Sequence, residues 1–291
     1  MTAMNEFGTI GRVALRHPRH AFGGADRIER EWRALNFTAP PEPALAAQQF
    51  DALSVLLSKA GATLMELPPA DRLTMDAIYT RDASVVTPAG VVLCSMGKAA
   101  RRQEPAAQGE AFRVAGFPVI GTIEPPGTLE GGDVVWFDER TVAVGRGYRT
   151  NAEGIRQFRE HLGARVDVVV VPLPHYRGPE DVFHLMSILS PVDERLAVVY
   201  SPLMPVPFRE WLLGRRMRFV EVPDEEFESM GANVLALAPR RVVMLEGNPV
   251  TKARLEAAHA EVLTYDGSEI SCKGGGGPTC LTRPLTRGSQ S

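Results

Sequence analysis

One hydrophobic pattern recurs along this chain at intervals of roughly 45 to 60 residues: two short alternating apolar stretches, a helix-period stretch, then a β-branched run. A unit of that size cannot bury its apolar faces alone, so the repeat constrains the fold more than any composition figure. The second unit reads as strands Ala83–Val86 and Val91–Cys94, a helix Arg101–Ala115 and a strand Pro118–Ile123. The third gives strands Val134–Phe137 and Thr141–Val144, a helix Asn151–Leu162 and a strand Val166–Val171, with Asn151 and Glu153 suited to a helix start. The fourth runs through His184–Leu189, Leu196–Tyr200, a helix near Pro207–Leu213 and Arg218–Val222. The fifth runs through Val234–Ala238, Val242–Leu245, a helix Lys252–Ala260 and Val262–Tyr265. The first unit has a strand at Arg12–Leu15, a helix Pro43–Ala60 and a strand Thr63–Leu67, so it lacks one strand. The tail segment Cys280–Pro284 can supply it. Five units then close into a ring with no long bare sheet edge, a single domain over residues 1–291, and inner strand ends converge on a central channel.

Composition narrows the partner. A chain of 291 residues with 44% hydrophobic content can bury a sizeable core, and its formal charge of -3 comes with scattered basic residues. No nucleic-acid-binding stripe is present, so the expected partner is a small molecule. No apolar run reaches the ~20 residues of a membrane span, and the N-terminal segment lacks the regions of a signal peptide, so no membrane is expected and a cytoplasmic location is. Three cysteines at irregular spacing make neither a disulfide framework nor a zinc site.

The chemistry-bearing residues sit at related places in different units. The tail Cys272-Lys273-Gly274-Gly275-Gly276-Gly277-Pro278-Thr279-Cys280 spends successive glycines, which implies positive φ or close backbone approach. Cys280 at its exit resembles an exposed nucleophile, Cys94 a core thiol and Cys272 a bystander. His184 follows a loop rich in Pro, Gly and acid, and Glu130 and Asp133 flank a glycine pair before a strand. Asp76 and Asp82 open the corresponding strand of the preceding unit. Each alone reads as a turn former or a core residue; in a ring Asp82, Glu130, His184 and Cys280 all face the axis.

The motifs Tyr79-Thr80-Arg81-Asp82, Leu129-Glu130-Gly131-Gly132-Asp133, Arg149-Thr150-Asn151-Ala152-Glu153-Gly154, His184-Leu185 and Gly276-Gly277-Pro278-Thr279-Cys280 resemble those of the guanidino-group modifying superfamily. The closest resemblance is to its dimethylarginine dimethylaminohydrolase branch, with arginine deiminases and amidinotransferases as relatives. The resemblance implies a fivefold pseudosymmetric α/β propeller closed by the C-terminal strand. It also implies Cys280 as nucleophile, His184 as acid/base, Glu130 as the carboxylate that orients it and binds guanidinium, and Asp82 as a second guanidinium clamp. Asp76 matches another substrate-contacting acid, and Arg102 and Arg149 match arginines that hold the carboxylate end of an amino acid.

The implied reaction is hydrolysis of a guanidino C–N bond through a thiouronium intermediate, with no metal and no cofactor. Nω-methylated arginine, giving citrulline and an alkylamine, is the first reading. Free arginine or another guanidino compound, transfer of the amidino group to an amine, and binding without catalysis stay open. Met186 stands where deiminases carry an acid, whereas Arg81 beside Asp82 is deiminase-like. A homodimer is kept open, and the loops Phe22–Asp26 and His175–Asp181 are lid candidates.

Overall fold

The computed structural model describes residues 4–181 and 183–288. Its first sheet takes β1 (Ile10–Leu15) and β2 (Thr63–Glu66), joined through the helix Pro43–Lys59. The second holds β3 (Ser84–Thr87), β4 (Gly90–Leu93) and β5 (Val119–Thr122), and the third β6 (Val134–Asp138), β7 (Thr141–Arg146) and β8 (Asp167–Pro172). The fourth is β9 (Leu189–Asp193), β10 (Leu196–Val199) and β11 (Arg218–Glu221); the fifth is β12 (Leu235–Ala238), β13 (Arg241–Leu245) and β14 (Glu261–Tyr265). The last strand, β15 (Arg283–Arg287), returns to β1 and completes the first sheet in the order β15-β1-β2. Val13 then lies opposite Pro284 and Ala14 opposite Arg283.

Every middle strand runs antiparallel to one neighbour and parallel to the other. The parallel step needs a crossover, which a helix supplies in each sheet, among them Glu104–Val114, Ala152–Leu162, Val206–Gly214 and Pro249–Ala257. Because side chains alternate across a strand, each middle strand feeds two cores. In β13, Val242 packs with Val198 and Val234 toward the fourth sheet, while Val243 packs with Val13 and Phe50 toward the first. In β4, Val92 joins Val134 and Val144 of the third sheet, while Val91 joins Ala14 and Leu285 of the first. In β7, Ala143 meets Leu189 and Val199 of the fourth sheet. Each sheet is thus cemented to the next and the fifth to the first, which closes the ring. Middle strands buried on both faces read as continuous apolar runs, such as Val242-Val243-Met244-Leu245.

The strands β3, β6, β9, β12 and β15 are almost wholly buried, whereas β2, β5, β8, β11 and β14 are half exposed. Strand β9 packs against β12, and β15 against β3. The first group therefore lines the axis and the second forms the rim.

Expected boundaries move, three of them for a clear local reason. The stretch His184–Leu189 does not begin as a strand: a single turn, Leu185–Ser187, precedes β9. Asp133 Oδ1 accepts the Leu185 N–H (2.9 Å) and Ser187 Oγ accepts the His184 N–H (3.0 Å), so side chains satisfy amides that a ladder would have used. The expected tail strand Cys280–Pro284 starts instead at Arg283. Cys280 lies in the turn before it, where Thr282 Oγ1 donates to the Pro278 carbonyl (2.8 Å). The helix expected from Lys252 begins at Pro249, whose fixed φ and missing N–H suit a first turn.

Candidate active site

The five axial strands are each entered by a short loop, and these loops carry the polar chemistry. Asp82 precedes β3, Glu130 and Asp133 precede β6, His184 precedes β9, Asn233 precedes β12, and Cys280 precedes β15. Ring closure therefore gathers side chains that are far apart in sequence.

His184 Nε2 lies 2.7 Å from Glu130 Oε2, and both side chains are buried. The other Glu130 oxygen accepts the N–H groups of Gly97 (2.9 Å) and Lys98 (3.3 Å), and Arg149 Nη1 stands 3.6 Å from Oε2. Burial pushes the Glu130 carboxyl up, but the hydrogen bond and charge of His184, with Arg149 behind them, hold it below the usual carboxylate range. Asp82 Oδ2 accepts from Arg101 Nη1 (2.6 Å) and Oδ1 from the Gly132 N–H (3.1 Å). Burial opposes its ionisation, but His184 and Arg101 outweigh it and hold Asp82 down to about 2. For His184 burial favours the neutral ring, yet Asp82, Asp133 and Glu130 raise it to about 9, so it is an imidazolium at neutral pH. Gly132 allows this packing: a Cβ there would sit 2.7 Å from His184 Nδ1.

Cys280 is held by its own loop. Gly275 adopts φ 74°, in the left-handed region, and a Cβ on Gly276 would come within 2.4 Å of the Tyr79 ring and 3.1 Å of the Cys280 Cβ. Asn233 Nδ2 donates to Cys280 Sγ at 3.2 Å, while its Oδ1 accepts from the Thr279 N–H (3.0 Å) and hydroxyl (2.7 Å). Burial and the charge of Asp82 raise the thiol's pKa; the Asn233 and Thr279 contacts and Arg81 oppose them. Cys94 is a core thiol pushed up by burial, and Cys272 is exposed.

Cys280 and His184 line two connected chambers. The inner one, about 50 Å³, is walled by Asp76, Asp82, Lys98, Arg101 and Arg149. The outer, about 310 Å³, opens past Tyr176, Phe183, Phe227, Glu228 and Lys273. Lys98 Nζ lies 2.6 Å from Asp76. The lid candidate His175–Asp181 contributes Tyr176, Arg177, Glu180 and Asp181 to the outer wall, whereas Phe22–Asp26 lines neither chamber and Phe22 is core.

One expected residue is not at the site. Arg102 is exposed and lines neither chamber; its neighbour Arg101 is the buried one, donating to Asp82, to the Tyr79 carbonyl (2.7 Å) and to both oxygens of Glu104. The turn Ala99–Arg101 precedes the helix that begins at Glu104, and it points Arg101 inward and Arg102 out. Arg101, Lys98 and Asn233 were not singled out by the sequence. Asn233 had a signal, since it stands before an axial strand as the other four groups do.

Among the described residues, Asp82, Glu130 and His184 form one group whose ligand atoms all lie within 4.8 Å of one another, close enough to hold a cation. Arg101 and Arg149 already stand against these carboxylates, so the arrangement suits a planar, hydrogen-bonding cation better than a bare metal ion.

A thiol, a carboxylate-clamped imidazole and a second carboxylate on the axis of a five-sheet ring define an enzyme of the guanidino-group modifying class. Comparison with known proteins narrows the class. The family model described as N,N dimethylarginine dimethylhydrolase, eukaryotic, matches residues 26–287, and the chain belongs to that dimethylarginine dimethylaminohydrolase family. It is 34% identical over 268 residues to an N(G),N(G)-dimethylarginine dimethylaminohydrolase of Streptomyces coelicolor, covering 91% of this chain and 92% of that one. A Pseudomonas aeruginosa dimethylarginine dimethylaminohydrolase complexed with citrulline shares the fold at TM-score 0.73 and 24% identity, over 94% of this chain and 98% of that one. The N-terminal domain of ArgZ, a cyanobacterial arginine dihydrolase bound to product, superimposes at TM-score 0.81 with 20% identity, over 96% and 98%. The protein is an amidine-hydrolysing enzyme.

Proposed function

We propose that the protein hydrolyses Nω-methylated arginine to citrulline and an alkylamine through a thiouronium intermediate on Cys280. The observation that carries the reading is that Cys280 and the Glu130-clamped His184 face the same inner chamber. Family membership and the Streptomyces relative favour the methylated substrate.

The resting site holds a thiol and an imidazolium. A guanidinium bound between Asp82 and Glu130 brings a positive charge beside Cys280, which lowers the thiol's pKa and releases its proton to solvent. The thiolate attacks the guanidino carbon, forming the C–S bond. His184 gives its proton to the substituted nitrogen, the C–N bond breaks, the amine leaves and a thiouronium cation remains. Neutral His184 then takes a proton from water as the hydroxide adds to the same carbon. Collapse breaks the C–S bond, leaving the ureido product, the thiol and the imidazolium. Asp76 and Arg149 complete the inner wall and are assigned to substrate contact; Arg102 is not.

Incubation with arginine, monomethylarginine and asymmetric dimethylarginine, read by ureido formation and released amine, tests the substrate. The dimethylated compound is expected to turn over fastest, and preference for free arginine overturns the choice. Cys280→Ser is expected to abolish turnover while leaving the thermal melt near wild type; a retained rate refutes the mechanism. Mass spectrometry after acid quench is expected to find the adduct on Cys280.

A further inference from the structure

Beyond the catalytic chambers, the ring axis carries a second buried polar cluster that the reaction does not use. A cavity of about 30 Å³ is lined by Glu6, Arg81, Trp136, Arg283 and Arg287 among others, and a smaller one of about 10 Å³ shares Glu6 and Arg81 with it. The arginines are 1%, 4% and 5% exposed and Trp136 4%. Their known partners leave donors over. Arg81 Nη1 pairs with Glu6 (3.2 Å) and Nε donates to the Thr279 carbonyl (3.0 Å), but Arg81 Nη2 has no hydrogen-bond partner among the described residues. Arg287 Nη1 donates to the carbonyls of Gly8 (2.6 Å) and Ala236 (2.9 Å), yet among the described residues its Nη2 has no partner, and neither have Arg283 Nε and Trp136 Nε1. All four orphans are N–H donors on residues that line one void.

The charge is equally one-sided. Among the lining residues three guanidinium groups meet one carboxylate, that of Glu6, with Asp82 acting on Arg283 from beyond the cavity, and an arginine does not relieve the imbalance by losing its proton. Burial and mutual repulsion weigh against the charged forms of Arg283 and Arg287. Buried charge of this kind needs a counter-charge, and buried donors need acceptors. The void is large enough for one water-sized guest and too small for phosphate or a carboxylic acid of any length.

We propose that this axial cavity binds one small monovalent anion, of halide size, held by the free N–H groups of Arg81, Arg283, Arg287 and Trp136. The anion supplies the acceptor that four donors share and offsets the surplus charge. It sits behind the nucleophile's loop, because Arg81 spans from the cavity to the Thr279 carbonyl, next to Cys280. The site is independent of which guanidino compound the enzyme hydrolyses.

The test uses the whole protein and bromide as probe. At constant ionic strength, replacing gluconate by bromide is expected to raise the melting temperature by about 2–3 °C once bromide reaches about ten times its Kd, and by a further increment with the logarithm of bromide beyond that. Crystals grown in bromide are expected to show an anomalous peak between Arg287 and Trp136. Trp136→Phe, which removes one donor and keeps the ring, is expected to shrink the bromide-dependent shift, and Arg287→Met to abolish it. Equal melting temperatures in bromide and gluconate, or density for water with no anomalous signal, overturn the proposal. So does a full shift retained in both variants. The wild-type measurements decide the matter even where Arg287→Met fails to fold.

Discussion

Glu130→Gln tests the proposal that His184 is the acid and that the Glu130 charge helps to set it. In the wild type the 2.7 Å contact between Glu130 and His184 Nε2 is a charge-assisted bond in a fully buried setting, and His184 stands at about 9. Bonds to charged groups contribute roughly 1.5–3 kcal/mol, and 1.36 kcal/mol is one pKa unit, so the neutral amide lowers His184 by about 1–2 units, to roughly 7–8. Asp82 and Asp133 keep it from falling further. The assay is the pH profile of kcat from about pH 6 to 10, with ureido formation as readout. The alkaline limb, where the imidazolium loses the proton it gives to the leaving amine, is expected to move down by that amount. Stability follows the same sign. A histidine raised on folding stabilises below its unfolded pKa of about 6.5 and loses that contribution as pH rises through the folded value. The wild-type melting temperature should thus fall between about pH 6.5 and 9, and the variant's over a narrower window. An alkaline limb unmoved by the substitution would refute the assignment of His184 as the acid set by Glu130.

The arginine pair makes an opposite prediction for neighbours: Arg102→Ala should leave kcat/KM within about twofold, since the side chain is exposed, as steady-state kinetics will show. Arg101→Met strands buried Asp82 and Glu104 and should cost about 3–5 kcal/mol by chemical denaturation. Asn233→Ala removes the 3.2 Å donor to Cys280 and should slow iodoacetamide alkylation of that thiol about tenfold at fixed pH, with an unchanged rate counting against a role for Asn233. Gly276→Ala forces a Cβ into the Tyr79 ring, which is buried and cannot retreat; turnover should fall about 100-fold while circular dichroism stays native.

The ring was legible because its middle strands obey two rules at once. Val91-Val92-Leu93 and Val242-Val243 are apolar on both faces, which only a strand packed between two neighbouring cores requires, and they recur with the repeat. The incomplete first unit then demanded β15. What failed was local: His184 looked like a strand residue because Phe183 and Leu185 flank it, Cys280 because the tail after it had to supply the missing strand, and nothing in composition reveals that Asp133 and Ser187 take the amides of the His184 turn. The choice between Arg101 and Arg102 was equally hidden, because one residue of phase in a short turn decides which cation points inward.

If a ring brings each unit's axial loop to the same place, a site can be read as one position per unit, and the fifth unit should contribute as the others do. Asn233 fills that place: it precedes β12 as Asp82 precedes β3 and Cys280 precedes β15, and it touches the Cys280 sulfur. Its amide adds no charge to a site already balanced between carboxylates and cations, and it orders Thr279 and Sγ together through opposite ends of one group. A donor fixed in this way stabilises the thiolate without competing for the guanidinium, which a fifth carboxylate would bind and a fifth cation would repel.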